Sequence, residues 1–297
     1  MAPASDLPEA AGRRLAEGSF SSGLSVPDFA ACLSMGLEPL RLVQGFCAMQ
    51  WGAYGGGILG GAMMGQPTPA SGGYNEVYQC PHGFVTGEHR AWGQNYEQTW
   101  VESAWATGFS NALTRMVEEA TALGAHGVVG VLDTETPLAE AGVAEFHLRG
   151  TAVRVEGAPA PKGDPWTTFL AGQRLAKVFE AGYAPLGAVA TVSSVRVWAN
   201  CVTEYALEGT GGLFAGGGSV AEVDQVVRAH GVARDLARTR VRAQLHGDAL
   251  HGAELSVVAR EHGSGDLEVQ VLLKGNRVRR VAPFSPLPAP TLTVALS

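Results

Sequence analysis

The sequence has little charge, and positive charge least of all. Asp, Glu, Lys and Arg make up 16% of its 297 residues, and 28 acidic against 21 basic side chains leave a net charge of −7. That balance excludes a general nucleic-acid binder, which carries a basic footprint. Cysteine is also scarce. Cys32, Cys47, Cys80 and Cys201 include no C-x-x-C pair, so the thiols are expected to be free. The opening stretch MAPASDLPEAAGRRLAEGSF lacks the apolar core of a secretory signal, which points to a reducing cytoplasm. No apolar run is long enough to span a bilayer; the best stretch, GAYGGGILGGAMMG at 52–65, is short and glycine-rich. No G-x-S-x-G, H-E-x-x-H or P-loop is present.

What the chain does have is apolar content, 46%, and 40 glycines, many of them clustered. That is enough for a sizeable core and argues against global disorder; the length suits two domains. The chain also matches itself. AHGVVGV…FHLRGTAVRV parallels LHGAELSV…VLLKGNRVRRV, aligning His126-Gly127 with His251-Gly252 and Gly150 with Gly275 at an offset of 125. FAACLSMGLEPL parallels LAKVFEAGYAPL, aligning Gly36 with Gly182 and Pro39 with Pro185 at an offset of 146. The 21-residue difference falls in copy one, in or beside the glycine-rich stretch 52–93, which reads as an insertion.

The organisation expected from this is a disordered polar tail at 1–22 and a first domain at 23–156 carrying the insertion. A Pro/Gly linker follows at 157–165, then a second domain at 166–281, then a proline-rich arm with a strand-like TLTVALS at 282–297. Each copy reads as short helix, strand, long helix, strand, strand: an α+β fold with a sheet covered by its long helix. In copy one the short helix runs from Pro27 to Met35, with Ser25 before it and Gly36 after it. Val101, Trp105, Phe109, Leu113, Met116, Val117, Ala120 and Leu123 keep the three-four spacing of one helix face. Asn95 with Gln98, and Ser219 with Glu222, are read as capping boxes. His126 and His251 are read as helix-end residues meeting the negative end of the dipole, with Gly127 and Gly252 releasing the chain into a strand.

ATALGAHGVVGV followed by EFHLRGTAVRV resembles the closing half of the YbjQ-like family of heavy-metal-binding domains. The residues that carry the likeness are Leu123, Gly124, Ala125, Val128, Val129, Gly130 and then Gly150, Thr151, Ala152, Val153. LVQGFCAMQWG resembles the family's first strand, and the second copy is read as a diverged domain of the same kind. The resemblance implies a small α+β fold, ring-like homo-oligomers, pentamers in particular, and no established enzyme activity.

Four candidate sites follow. Cys80, His82 and His89, with Glu88 nearby, offer a thiolate and two imidazoles to Zn or another thiophilic metal. Gly55, Gly57 and Gly60 spell G-x-G-x-x-G, but no helix follows to supply the dipole a nucleotide needs. In the same loop Ile58, Leu59, Met63 and Met64 suit a subunit interface or a membrane surface. Asp133, Glu135 and His147 read as polar groups on a wet sheet face rather than as a catalytic set, and Arg228, Arg234, Arg238, Arg240 and Arg242 as a solvated helix face or a partner for an acidic neighbour.

The reading that uses most of these features is a non-catalytic protein that self-assembles into a ring or shell and holds protein cargo. In it Leu292, Val294 and Leu296 add as a strand to a neighbouring subunit. Deleting 283–297 is then expected to lower the assembled mass. The alternatives are a metal-binding or metal-sensing protein using the Cys80 cluster, and an adaptor that meets membranes through the Gly/Met loop.

Overall fold

The computed structural model describes residues 7–16, 20–50, 93–138, 143–200, 222–261 and 267–282, with short pieces at 78–79, 85–86, 202–203 and 206. The elements run α1 (Glu9–Ala16), α2 (Val26–Ser34), β1 (Leu37–Gln50), β2 (Tyr78–Gln79), β3 (Val85–Thr86), β4 (Asn95–Glu97), α3 (Thr99–Ala122), β5 (Gly127–Leu138) and β6 (Val143–Val155). They continue as β7 (Trp166–Thr167), α4 (Gly172–Glu180), β8 (Tyr183–Val197), α5 (Asp224–Leu245), β9 (Ala249–Glu261) and β10 (Leu267–Arg280). The α+β class expected from the sequence is observed, with two four-stranded sheets ordered β1-β6-β5-β7 and β4-β8-β10-β9. β2 and β3 form a separate pair.

The three long strands of the second half parallel those of the first in order and register. β6 lies between β1 and β5, and β10 between β8 and β9. β1 bulges at Leu40 opposite the step from Val153 to Ala152, and β8 bulges at Leu186 opposite the step from Val278 to Arg277. The amide of Glu156 returns to the Gly36 carbonyl, and that of Val281 to the Gly182 carbonyl, both at 2.8 Å. These pairs keep the 125 and 146 offsets.

The His-Gly match does not. Val129 faces Thr151 and Leu132 faces Arg149, while His251 faces Asn276 and Glu254 faces Lys274. The residue in the place of His251 is therefore Val129, not His126, and the bulge glycines that correspond are Gly130 and Gly252. Their φ values, +61° and +62°, lie in the left-handed region that glycine enters without steric cost. A Cβ on Gly130 would meet Leu24 at 3.1 Å, and one on Gly252 would meet Leu170 at 3.5 Å; Leu24 and Leu170 are themselves 146 apart.

The halves are laced together by exchanged strands. β7, which opens the second half, pairs in parallel with β5 of the first, while β4 pairs antiparallel with β8 of the second. Helix α3 contacts both sheets. Its core with Val43, Phe146 and Leu148 also takes in Ala190 and Val192 of β8. On the opposite face of β8, Val189, Val195 and Val197 pack on α5 with Val269 and Val271. β8 is thus covered on both sides, which accounts for its near-continuous burial. A third cluster joins Cys32, Leu37, Val129 and Val153 to Leu170, Leu175, Val178 and Val278.

Three local expectations are corrected. Residues 9–16, expected to lie in a disordered tail, form α1. The Arg14 guanidinium pairs with the buried Glu119 carboxylate of α3 and donates to the Leu42 carbonyl at 3.2 Å. The first capping box is absent. Asn95 is in β4 and bonds to Gln225, and Gln98, at the N-cap of α3, makes no side-chain cap bond. In the second half α5 begins at Asp224 behind Val223, which also makes no side-chain cap bond. The α2 cap does form, with the Ser25 hydroxyl accepting from the Asp28 amide at 3.3 Å.

Candidate functional site

The two edges of the sheets differ. β1, the outer strand of the first sheet, has several of its outward backbone groups taken. Ser21 accepts from the Leu42 amide, Glu119 accepts from the Gln44 amide at 2.9 Å, and Arg115 donates to the Phe46 carbonyl. β9 is the last strand of the second sheet, and among the described residues no strand lies beyond it. It is thirteen residues long and exposed over most of its length, with Leu255 at 41% and Val258 at 48%. Native proteins shorten, charge or cover such an edge, because its row of backbone groups is a template for another strand.

At its start β9 borders a cleft of about 570 Å³. Leu170, Val178, Leu250 and Val278 give the floor apolar character, and α4 and β9 add Arg174, Lys177 and His251. No carboxylate is among the lining residues. Beside it, Arg279 hydrogen-bonds Asp248 at 2.8 Å, and Arg277 approaches at 3.7 Å. The Arg279 contact holds the Asp248 carboxyl below the ordinary aspartate range.

The corresponding place in the first half is filled. There β5 receives β7, and Val128 and Val129 are fully buried, whereas Ala249, His251 and Gly252 are exposed and Leu250 is half-buried. Four backbone bonds fix the covering segment. The amides of Trp166 and Thr168 donate to the carbonyls of His126 and Val128 at 3.1 and 3.0 Å. The amides of Gly130 and Val131 donate to the carbonyls of Leu170 and Thr168, each at 2.9 Å. Gly127 is small because Trp166 lies on it: a Cβ there would fall inside the indole.

The predicted site residues take different places. Cys80, His82 and His89 lie outside the described residues, as do Ile58, Leu59, Met63, Met64, Leu292, Val294 and Leu296. Among the described residues no group of three His, Cys, Asp or Glu is placed to hold a metal, and no helix is long and apolar enough to cross a membrane. His126 is structural, by a different device from the one expected. Its Nδ1 accepts from the Val155 amide at 3.2 Å, which leaves Nε2 protonated to donate to the Pro159 carbonyl at 2.8 Å. The ring bridges β6 and the connector instead of capping α3. His251 lines the cleft.

Asp133 pairs with Lys274 of the other half at 2.8 Å. Arg240, expected on a solvated face, is largely buried against Glu97 and Glu102 of the same chain. Burial is the leading influence on Glu102 and raises its carboxyl. Asn276 is a junction the sequence reading missed: its Oδ1 accepts from Thr168 and from the Phe169 amide, and its Nδ2 donates to the His251 carbonyl. No sequence signal singles it out, since β10 also carries Glu268, Gln270, Lys274 and Arg277.

A family model described as "Putative heavy-metal-binding", the YbjQ-like family, matches residues 84–156, and the chain is similar to that family over this span. Over 284 residues the chain is 28% identical to "Encapsulin nanocompartment protein Rv1762c" of Mycobacterium tuberculosis (strain ATCC 25618 / H37Rv), an alignment that covers 93% of this chain and 92% of that protein. No solved structure matches the chain.

Proposed function

We propose that this protein is a non-catalytic, self-assembling subunit of a closed ring or shell that encloses protein cargo. The observation that carries the reading is the similarity to a nanocompartment protein along nearly the full length of both chains. A likeness that runs end to end takes in every part of the chain that a shell subunit would use to meet its neighbours. The open β9 edge supports it, since a long uncovered strand is completed by pairing with another chain. In this reading the second half is a diverged copy of the YbjQ-like domain, supported by the shared strand order, the matching bulges and the shared offsets. The protein would work in the reducing cytoplasm, where Cys32 and Cys47, buried and unpaired, stay as thiols.

The test is native mass spectrometry and negative-stain microscopy of the purified full chain, with bound metal measured on the same sample. Closed particles of uniform size without stoichiometric metal support the reading. A single protomer carrying stoichiometric metal overturns it in favour of Cys80, His82 and His89 as a metal site.

A further inference from the structure

We infer that the cleft at the start of β9 is the acceptor for residues 291–297 of a second copy of this chain, added as a parallel strand. The inference rests on the assembly reading above and names the contact that would build it.

In the first half the groove is occupied. After β6 the chain runs through a ten-residue connector, EGAPAPKGDP (156–165), and returns as WTTFLAG (166–172) along the edge of β5. The 125 offset that relates β6 to β10 carries these segments onto VAPFSPLPAP (281–290) and TLTVALS (291–297). Thr168 then corresponds to Thr293, and Pro165 to Pro290. The groove that β7 fills has its counterpart at 248–253, and that counterpart is the cleft.

The correspondence fixes a register. Thr291 lies beside Ala249 as Trp166 lies beside Gly127, and Leu292 beside Leu250 as Thr167 lies beside Val128. Carrying over the four bonds, the amides of Thr291 and Thr293 donate to the carbonyls of Asp248 and Leu250. The amides of Gly252 and Ala253 donate to the carbonyls of Ala295 and Thr293. Sterically the exchange is consistent. In the first half a large indole needs a glycine opposite, and in the second a threonine has room for the Ala249 methyl. Covering Ala249, Leu250 and His251 would give them the burial that Gly127, Val128 and Val129 already have.

The connectors decide between the same chain and a neighbour. The first contains Gly157, whose φ of +71° turns the chain back, and Gly163. The second has no glycine and carries prolines at 283, 286, 288 and 290. A segment of that composition favours extended polyproline II, in which the eight residues 283–290 would span roughly 25 Å at about 3.1 Å per residue. A stiff arm of that reach presents its strand to another subunit.

A complementation experiment tests this. One variant lacks 291–297 and keeps an open cleft. The other, Ala249→Trp, keeps the segment and fills the cleft at an exposed position, so folding is undisturbed; circular dichroism and thermal melting check this for both. Each alone is expected to lose the assembled species seen with the full chain, and their equimolar mixture to form a one-to-one pair of the two chains in native mass spectra, because each pair holds one segment and one open cleft. Undiminished assembly by the truncated chain overturns the inference while leaving the shell reading intact. So does loss in both variants without a pair on mixing, which is the result of docking within one chain. Failure of the full chain itself to assemble overturns the shell reading instead.

Discussion

Gly127 and Trp166 form a size-matched pair across the β5–β7 edge, and exchanging their sizes is a direct test of how the first half is closed. Gly127 is buried, Trp166 is partly buried, and a Cβ on Gly127 would overlap the six-membered ring. Carbon atoms rest about 3.5–4.0 Å apart, so Gly127→Ala must displace the indole or the short β7 strand, at about 1–3 kcal/mol. Trp166→Thr removes most of a large side chain from the cluster around Val129 and Leu170. Complete removal of a buried aromatic costs about 3–5 kcal/mol, and Trp166 is only partly buried, so about 2–3 kcal/mol is expected. Together the two changes reproduce the Ala249 and Thr291 pair inferred above for the second half. The alanine methyl then occupies space the indole has left, and the double variant should be no less stable than Trp166→Thr alone. The expected coupling is about 1–3 kcal/mol in favour of the pair. Equilibrium urea denaturation of the four proteins, followed by intrinsic fluorescence and far-ultraviolet circular dichroism, measures it. Strict additivity of the two costs would refute the size-matching argument.

Two further predictions concern charge. Arg14→Ala leaves the Glu119 carboxylate buried with the Gln44 amide as a remaining partner. It should cost about 2–3 kcal/mol in urea denaturation, below the usual cost of breaking a fully buried pair because Arg14 is partly exposed, and much less in a Glu119→Ala background. Equal costs in both backgrounds would remove the ion pair as the anchor of α1. The carboxyl of Asp248 is held low by Arg279, so its stabilising effect is fully present above the unfolded aspartate value of about 3.9 and is lost as pH falls through its own lower value. Asp248→Asn should therefore lower the melting temperature at neutral pH, and the gap from wild type should close in acid below that range; a gap constant down to strong acid would contradict the assignment.

The local features that were legible in the sequence share a cause. The α3 face through Val101, Trp105, Phe109 and Met116 repeats at the helix period, and those residues are buried as that period requires. Ser25 and Gly36 mark the two ends of α2 through bonds within a few residues of themselves. The His-Gly match misled for an equally physical reason. The two hairpins differ in length, so a frame set by β6 and β10 runs three residues out in β5 and β9, where Gly130 answers Gly252. Arg240 looked solvated because its helix reads as a basic run, while the two carboxylates that bury it come from β4 and α3, far away in the chain.

The order of the main helices and strands and the repeated frame are written in the amino acids, because periodicity and composition act over a few residues. Which edge each strand covers was settled only by the folded chain: β7 on β5, β4 on β8, α1 against β1, and β9 with no strand beyond it among the described residues. Strand edges pair through backbone amides and carbonyls that nearly every residue carries alike, so the choice of partner depends on distant parts of the chain meeting, and no short stretch of sequence spells it out.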